Sequence, residues 1–372
     1  MLTSIPSPSN NTLELGPLAV NYYGLMIALG VLAAVWLARR RLEQMGDDPD
    51  LITDLALWAV PAGLIGTRIY HVVTDYNRLY CGPPECSGSL WPDAFKIWKG
   101  GLGIPGGIAA GFIVGIWYAR RKHMSIPRLM DAAAPALPLA QAIGRWGNWF
   151  NQELFGRPTN LPWKLEITNQ NALNDVWTRQ PKYAGDRYFH PTFLYESLWN
   201  LGVVALLIFM GRRLKLRQGK LFPAYISLYF LGRMWVEELR VDTAAEVGGV
   251  RWNFVLAITM VVVGIVWFFW GGVRASDEEL AAREEHAREG RARIAAKREA
   301  ERHGGKPDAG ARSGAGAPSD GGEAEQGVAE DGPEVGGPGS ERTGSETGGA
   351  DAAVGIEPEE GSGGSEMAER PR

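Results

Sequence analysis

The chain has 372 residues, a formal net charge of −4 at pH 7 and 45% hydrophobic residues. A nucleic-acid binder carries a basic stripe, whereas the basic residues here stand in short clusters between apolar runs, so we expect no nucleic-acid partner. The average composition hides two unlike parts. Residues 1–272 are rich in Leu, Val, Ile, Trp and Gly, and residues from 273 onward contain few large apolar side chains.

Seven apolar segments of the first part predict membrane-spanning helices, because a span needs about 20 mostly apolar residues. Residues 1–16 lack the basic region of a cleavable signal peptide, so we expect the first segment to be kept as a span. The fourth segment is the weakest, since it contains Pro135 and Pro138. The segments are 18–38, 51–73, 101–119, 130–150, 191–211, 221–239 and 253–272.

Basic loops set the orientation of a multi-span protein, since Lys and Arg are enriched on the cytoplasmic side. With seven spans, three basic clusters fall on one side, at residues 39–41, 120–122 and 212–220. The sequence therefore predicts an all-α polytopic membrane protein with about seven transmembrane helices, its N-terminus outside and its C-terminus cytoplasmic.

Cys81 and Cys86 lie in the loop that this topology places outside, where disulfides persist. The sequence leaves open whether these two cysteines form a local disulfide or stay as unpaired thiols. We expect no metal site, because no other Cys or His stands at ligand spacing, and no cofactor.

The sequence predicts a membrane domain of residues 1–272, which includes one long loop, and a C-terminal extension of two segments. The external loop 152–190 holds aromatic residues that suit either the headgroup level or the core of a small external head. Residues 273–303 predict a charged helix, which Ser276 and Glu279 begin with a capping box. Residues 304–372 have the composition of a disordered tail. The loop aromatics are Trp163, Trp177, Tyr183 and Tyr188.

Polar residues from five spans fall at one depth near the outer side. Each charged group inside a bilayer costs roughly 2.5–3.5 kcal/mol on insertion scales. One arginine is explained by snorkelling, but three at one depth predict a shared polar cavity that opens outward. The residues are Tyr23, Arg68, His71, Arg145, Asn148, Asn151, Glu153, His190, Tyr195, Glu196, Arg233 and Glu237.

Structural interpretations stay open for individual residues of this set. Arg233 and Glu237 are spaced i,i+4 and suit a pair on one helix face. Arg145 suits a pair with Glu153 or with backbone carbonyls. Asn148 and Asn151 suit hydrogen bonds between helices.

Arginine matches phosphate oxygens with a planar fork and stays charged, so the set predicts an anionic phospholipid as ligand. A phospholipid or small-anion transporter using the same arginines is the alternative, but a transporter is expected to show internal repeats and a midplane site. An intramembrane protease needs a Ser–His pair or paired Asp residues in its spans, and neither is apparent.

Ordered motifs between residues 15 and 272 resemble the prolipoprotein diacylglyceryl transferases of bacteria. The strongest is GRWGNWFNQELFGRP at 144–158, and the others are YYGLM at 22–26, GTRIY at 66–70, WKGGLGIPGG at 98–107, HPTFLYES at 190–197 and GRMWVEELR at 232–240. The resemblance implies a multi-pass plasma-membrane enzyme with an outer-leaflet site. Such an enzyme transfers the diacylglyceryl group of phosphatidylglycerol to the lipobox cysteine of a preprolipoprotein, forming a thioether and releasing glycerol phosphate.

The resemblance also implies roles for individual residues. It assigns catalytic roles to Arg145, Arg233 and Glu237. It assigns the binding of the lipid to Arg145, Asn148, Asn151, Glu153, Gly156, Tyr23 and Arg68. One position departs from the family, because Pro105 stands where many members carry a histidine before two glycines. The base that accepts the thiol proton therefore stays open among His190, Glu153, Glu237 and His71, and an arginine-stabilised thiolate needs no base.

Overall fold

The computed structural model describes residues 4–16, 18–74, 103–242, 246–247 and 250–302. Within these ranges, long helices occupy all seven predicted segments. They are α1 (Tyr22–Gln44), α2 (Asp50–Thr74), α3 (Ile104–Arg121), α4 (Ile126–Asn151), α6 (Thr192–Arg213), α7 (Leu221–Leu239) and α8 (Trp252–Phe269).

Two further helices and three antiparallel strand pairs complete the described part of the chain. The helices are α5 (Gln170–Arg179) and α9 (Asp277–Arg302), and Pro181–Tyr183 forms a short 3-10 helix. The strand pairs are β1 (Thr12–Leu15) with β2 (Leu18–Asn21), β3 (Leu165–Glu166) with β4 (Tyr188–Phe189), and β5 (Glu246–Val247) with β6 (Val250–Arg251).

Four of the helices, α1, α2, α6 and α8, are long and apolar enough to cross a membrane among the described residues. Many of their large apolar side chains face outward, as lipid-facing side chains do; Leu57, Val73 and Phe269 are each at least 65% exposed. The chain is therefore a helical membrane protein. α3, α4 and α7 are of similar length.

The predicted start of the first span at residue 18 is wrong. Leu18–Asn21 forms β2, and the helix starts only at Tyr22. The reason is local, because the side chain of Asn21 accepts a hydrogen bond from the Tyr23 amide at 2.8 Å and so caps the helix. The fourth segment is one continuous helix in which both prolines are fully buried.

Close backbone contacts pair α2 with α3. A Cβ added at Gly66 would collide with the Gly106 carbonyl oxygen and the Ala110 methyl group. A Cβ added at Gly106 would collide with the Gly66 carbonyl oxygen and with Tyr70. The glycines of this motif therefore let two helices approach each other closely. The remaining helices pack in the order α1, α4, α6, α7, α8.

Residues 152–190 fold into a small head. Its core contains Phe155, Leu165, Ile167, Leu173 and Phe189, all buried. Trp177 and Tyr183 pack against this core, so these two aromatics belong to the core of a small head, one of the two roles expected for them. Trp163 and Tyr188 are 47% and 38% exposed.

The three basic clusters lie at the helix ends opposite the head, because α1, α3 and α6 run away from the end at which the head is attached. α9 lies across this end, where Arg298 pairs with Glu43 at 2.6 Å. The predicted capping box is confirmed: the Ser276 amide donates to the Glu279 carboxylate and the Glu279 amide to the Ser276 hydroxyl, each at 3.1 Å. Cys81 and Cys86 lie outside the described residues.

Candidate active site

A single buried carboxylate joins the two arginines that the sequence singled out. Glu196 lies in the first turns of α6, and its Oε2 is 2.7 Å from Nη2 of Arg145 on α4 and 3.6 Å from Nη1 of Arg233 on α7. The Glu196 side chain is 7% exposed, and those of the arginines 18% and 15%. Three helices thus meet at one charged cluster, in which two cations share one anion.

A second carboxylate holds Arg233 from its own helix. Glu237 Oε2 lies 2.6 Å from Arg233 Nη2, so the predicted i,i+4 pair is confirmed. The other oxygen of Glu237 lies 3.2 Å from Arg251 Nε and accepts a hydrogen bond from Asn253 at 3.2 Å. Glu237 is 1% exposed, and both its oxygens are engaged. Arg233 therefore sits between Glu196 and Glu237, and its direction is fixed from both sides.

The end of α4 places two signature asparagines around Glu153. Asn148 donates to Glu153 Oε1 at 2.8 Å and Asn151 at 3.4 Å. The two asparagines thus bind this carboxylate rather than bridging helices. The alternative pairing of Arg145 with Glu153 is wrong, since its carboxylate partner is Glu196. Arg145 approaches this group only through a long contact of 3.5 Å to Asn148 Oδ1.

Gly156 lies where three segments converge. Its amide donates to the His190 carbonyl at 3.0 Å, and the Arg157 amide donates to the Leu239 carbonyl at 2.8 Å. A Cβ at Gly156 would lie 2.7 Å from the Cβ of His190 and 3.2 Å from the Leu239 carbonyl oxygen. Glycine is required here because the signature loop, the start of α6 and the end of α7 leave no room for a side chain.

The turn after α4 attaches the head to the site. Gln152 is in the left-handed region, with φ of 51°, and is 7% exposed. Its side-chain oxygen accepts the amides of Thr168 and Asn169 at 2.8 and 2.9 Å, and its nitrogen donates to the Pro8 carbonyl at 2.9 Å. This residue therefore fixes the N-terminal segment and the head to the signature turn.

Tyr23 packs against the same end of α4. Its ring carbon would lie 2.7 Å from a Cβ at Gly147, and neighbouring Tyr22 stacks on Phe150 with ring centroids 4.5 Å apart. The first turn of α1 is thus held against the helix that carries Arg145 and Asn148.

His190 belongs to a different group at the head. Its Nδ1 lies 3.2 Å from the Tyr195 hydroxyl, which also accepts a hydrogen bond from Trp163 at 2.9 Å. Burial, and to a lesser extent the charge of Arg157, lowers the pKa of His190 below its ordinary value of 6.5. The imidazole is therefore neutral at pH 7 and able to accept a proton.

Arg68 and His71 lie near the end of α2, which packs along α3, whereas the arginine–glutamate cluster forms where α4, α6 and α7 meet. Pro105 is in the first turn of α3. Their predicted parts in the site stay predictions.

Sequence reasoning included Glu196 in the set of polar residues at one predicted depth but did not select it as a site residue, and it passed over Arg251. The signal for Glu196 was its place in the HPTFLYES motif, one helical turn after the start of a span. Arg251 carried no such signal. It lies in the loop between the sixth and seventh predicted spans and reaches Glu237 only because β6 turns back toward the end of α7, where it also donates to the Arg240 carbonyl at 3.0 Å.

Comparison with known proteins identifies the family. The family model described as prolipoprotein diacylglyceryl transferase matches residues 10–270. A protein of Streptomyces griseus named phosphatidylglycerol–prolipoprotein diacylglyceryl transferase is 46% identical over 288 residues, which cover 77% of this chain and 83% of the relative. Proteins of that name from Streptomyces coelicolor (numbered 1) and Paenarthrobacter aurescens are each 48% identical, over 70% and 67% of this chain and 74% and 77% of the relatives.

The match extends from β1 to the end of α8 and includes every residue of the arginine–glutamate cluster. The chain belongs to the prolipoprotein diacylglyceryl transferase family.

Proposed function

We propose that this protein transfers the diacylglyceryl group of phosphatidylglycerol to the lipobox cysteine thiol of preprolipoproteins. A carbon–sulfur bond forms, the bond between the diacylglyceryl carbon and the phosphate oxygen breaks, and glycerol phosphate leaves. The thiol loses its proton to a base. The family and the names of the relatives support this transferase reaction and both of its substrates. The transporter alternative has no support from them.

The observation that carries the proposal is the sharing of Glu196 by Arg145 and Arg233. Phosphate leaves with growing negative charge, which fixed guanidinium groups stabilise without reorganising. A guanidinium has five N–H donors, more than the carboxylates here accept, and Arg233 Nη1, which lies 3.6 Å from Glu196 Oε2, makes no hydrogen bond among the described residues. The two carboxylates offset the cost of holding these cations in the membrane while leaving donors for the lipid phosphate.

We assign the surrounding residues to lipid binding. Asn148, Asn151 and Glu153 form one hydrogen-bonded group at the end of α4, beside Tyr23, and this group suits the glycerol hydroxyls of the headgroup. Gly156 keeps the loop close to α6. Arg68 is assigned to the same role from the resemblance.

For the proton, we favour His190 or Glu153 over Glu237. Glu237 is engaged by two arginines and an asparagine, so its role is to position Arg233. His190 is neutral at pH 7 and stands beside the head, on the side from which a translocated peptide arrives. A neutral imidazole meets the requirement for a general base.

We also propose the membrane arrangement. The seven long helices all span the bacterial plasma membrane, with the N-terminus and the head outside and the C-terminus cytoplasmic. Basic clusters at the end opposite the head support this orientation. The site then lies toward the outer leaflet within a membrane domain of residues 1–272, which is followed by a charged helical segment, 273–303, and a disordered tail, 304–372.

The test is a reconstituted transfer reaction. Purified protein is incubated with phosphatidylglycerol and a lipobox peptide, and mass spectrometry detects diacylglyceryl on the peptide cysteine. We expect adduct with the wild type and a loss of at least about 100-fold with Arg145→Ala and with Arg233→Ala, the scale for removing a preorganised donor. The control is Arg120→Ala, an exposed arginine at the opposite end.

Two results would contradict the proposal. Unchanged turnover in both site variants would exclude the role of the arginines at the leaving phosphate. Equal modification of a peptide with serine in place of cysteine would exclude the thiol as acceptor.

A further inference from the structure

A basic cavity lies at the end of the molecule opposite the head. It is enclosed by the inner ends of α1 and α4, by the α6–α7 loop and by α9. Nine Lys or Arg residues line it, against only two Asp or Glu residues. None of these residues belongs to the arginine–glutamate cluster.

Carboxylates of the described residues neutralise only part of the positive charge of this cavity. Three of its nine cations form ion pairs with acids outside the lining: Arg128 with Asp47, Lys215 with Asp277 and Arg217 with Glu279. Of its two acids, Asp131 accepts the backbone amides of Gly219 and Leu221 at 2.8 and 3.0 Å, which fixes the α6–α7 loop. The other, Glu284, is exposed. The other six lining cations form no ion pair with a carboxylate in the described ranges.

Three of the cavity arginines are held in place by main-chain carbonyls. Arg41 donates to the Asp131 carbonyl at 3.2 Å, Arg283 to that of Leu216 at 2.7 Å and Arg291 to that of Gln44 at 2.8 Å. A carbonyl orients a guanidinium without cancelling its charge. These cations are thus fixed and still available to an anion.

Three further arginines, Arg212, Arg213 and Arg288, are exposed and form no hydrogen bond or ion pair in the described ranges. They extend the basic surface from the cavity to the end of α6, a helix apolar enough to span the membrane. Leu214, directly after that helix, lines the cavity and is 46% exposed. The site therefore combines guanidinium groups with exposed apolar surface at the end of a helix long and apolar enough to cross a membrane.

We propose that this cavity binds the phosphate of an anionic phospholipid from the leaflet on that side. Guanidinium forks match phosphate oxygens, and basic pockets between spans on the cytoplasmic side suit anionic headgroups. That this leaflet is the cytoplasmic one rests on the proposed topology. Arg283, Arg288 and Arg291 come from α9, beyond the residues that the family model matches. The site is separate from the one proposed for the lipid substrate.

The experiment measures lipid binding to the full-length protein by native mass spectrometry in detergent. Phosphatidic acid is the anionic probe, phosphatidylcholine the zwitterionic one, and inorganic phosphate the free anion. The variant Arg212→Gln/Arg213→Gln/Arg288→Gln removes three exposed charges. The matched control, Arg120→Gln/Arg121→Gln/Lys122→Gln, removes three exposed charges at the same end, outside the cavity.

We expect at least a 10-fold weaker affinity for phosphatidic acid in the cavity variant and unchanged affinity in the control. Equal affinity in the wild type and the cavity variant, or an equal loss in both variants, would overturn the site. Equal binding of phosphatidylcholine would overturn recognition of an anion. Inorganic phosphate that binds as tightly as the lipid would overturn the lipid assignment in favour of a free anion.

The single variant Arg288→Gln, on the exposed face of α9, controls for misfolding of the triple variant. It should also weaken the affinity for phosphatidic acid. Diacylglyceryl transfer is measured alongside. Failure of the transfer proposal leaves this test unaffected, since its readout is binding of a lipid at the opposite end.

Discussion

Arg145 and Glu196 form a buried ion pair between α4 and α6, with Nη2 of the arginine 2.7 Å from Oε2 of the glutamate. The same oxygen lies 3.6 Å from Arg233 on α7. One carboxylate therefore sets the separation of the two cations proposed to hold the departing phosphate. Its removal leaves two buried positive charges that repel each other.

Glu196→Gln should lower transfer by at least about 10-fold and destabilise the protein by about 3–5 kcal/mol, the cost of breaking a buried ion pair. Turnover and thermal unfolding in detergent are measured together. Glu196→Asp keeps the charge and should recover part of both. Full activity in Glu196→Gln would show that the arginines are positioned without it.

Gly156→Ala should destabilise the protein and reduce activity, since its Cβ would lie 2.7 Å from that of His190. Overpacking of this kind costs typically 1–3 kcal/mol. Gly202→Ala is the matched control on α6, where a Cβ meets nothing within 4 Å. The control should be neutral or stabilising, because alanine favours a helix. An unaltered unfolding midpoint in Gly156→Ala would contradict the convergence of three segments at this residue.

His190 should make the stability of the protein depend on pH. Its pKa is lowered in the folded state, mainly by burial, so its contribution is complete above the unfolded pKa of 6.5 and is lost as the pH falls through the lower folded pKa. The unfolding temperature of the wild type should therefore fall more between pH 7.5 and 5.5 than that of His190→Gln. If His190 is also the base, transfer declines in the same acidic range and His190→Gln abolishes it. Identical pH profiles of stability in the two proteins would contradict the lowered pKa of the partly buried imidazole.

Deletion of residues 304–372 should leave transfer nearly intact, because the tail lacks the apolar surface for a fold of its own. Deletion from residue 277 also removes α9, which pairs with the α1–α2 corner through Arg298–Glu43 at 2.6 Å and Lys297–Asp48 at 3.2 Å. The longer deletion should lower the unfolding temperature. A large loss of turnover in the shorter deletion would assign a catalytic role to the tail.

The seven long helices were predictable because each depends on an apolar stretch of about the length of a span. The segment at 221–239 coincides with α7, and 51–73 differs from α2 by one residue at each end. The start of α1 was not predictable from hydropathy, because residues 18–20 are as apolar as the span that follows but pair as a strand. A polar cap, rather than hydrophobicity, begins that helix.

The sequence by itself determined a helical membrane protein with arginines near one end and a family resemblance that the comparisons confirmed. Tertiary structure alone decided the pairing of those arginines. Whether Arg145 faces Glu153 or Glu196 depends on the packing of α4 against α6, and the contact of Arg251 with Glu237 depends on the return of β6. Hydropathy gives the depth of a residue in a bilayer, but the rotation and neighbours of each helix follow from side-chain packing across the whole bundle.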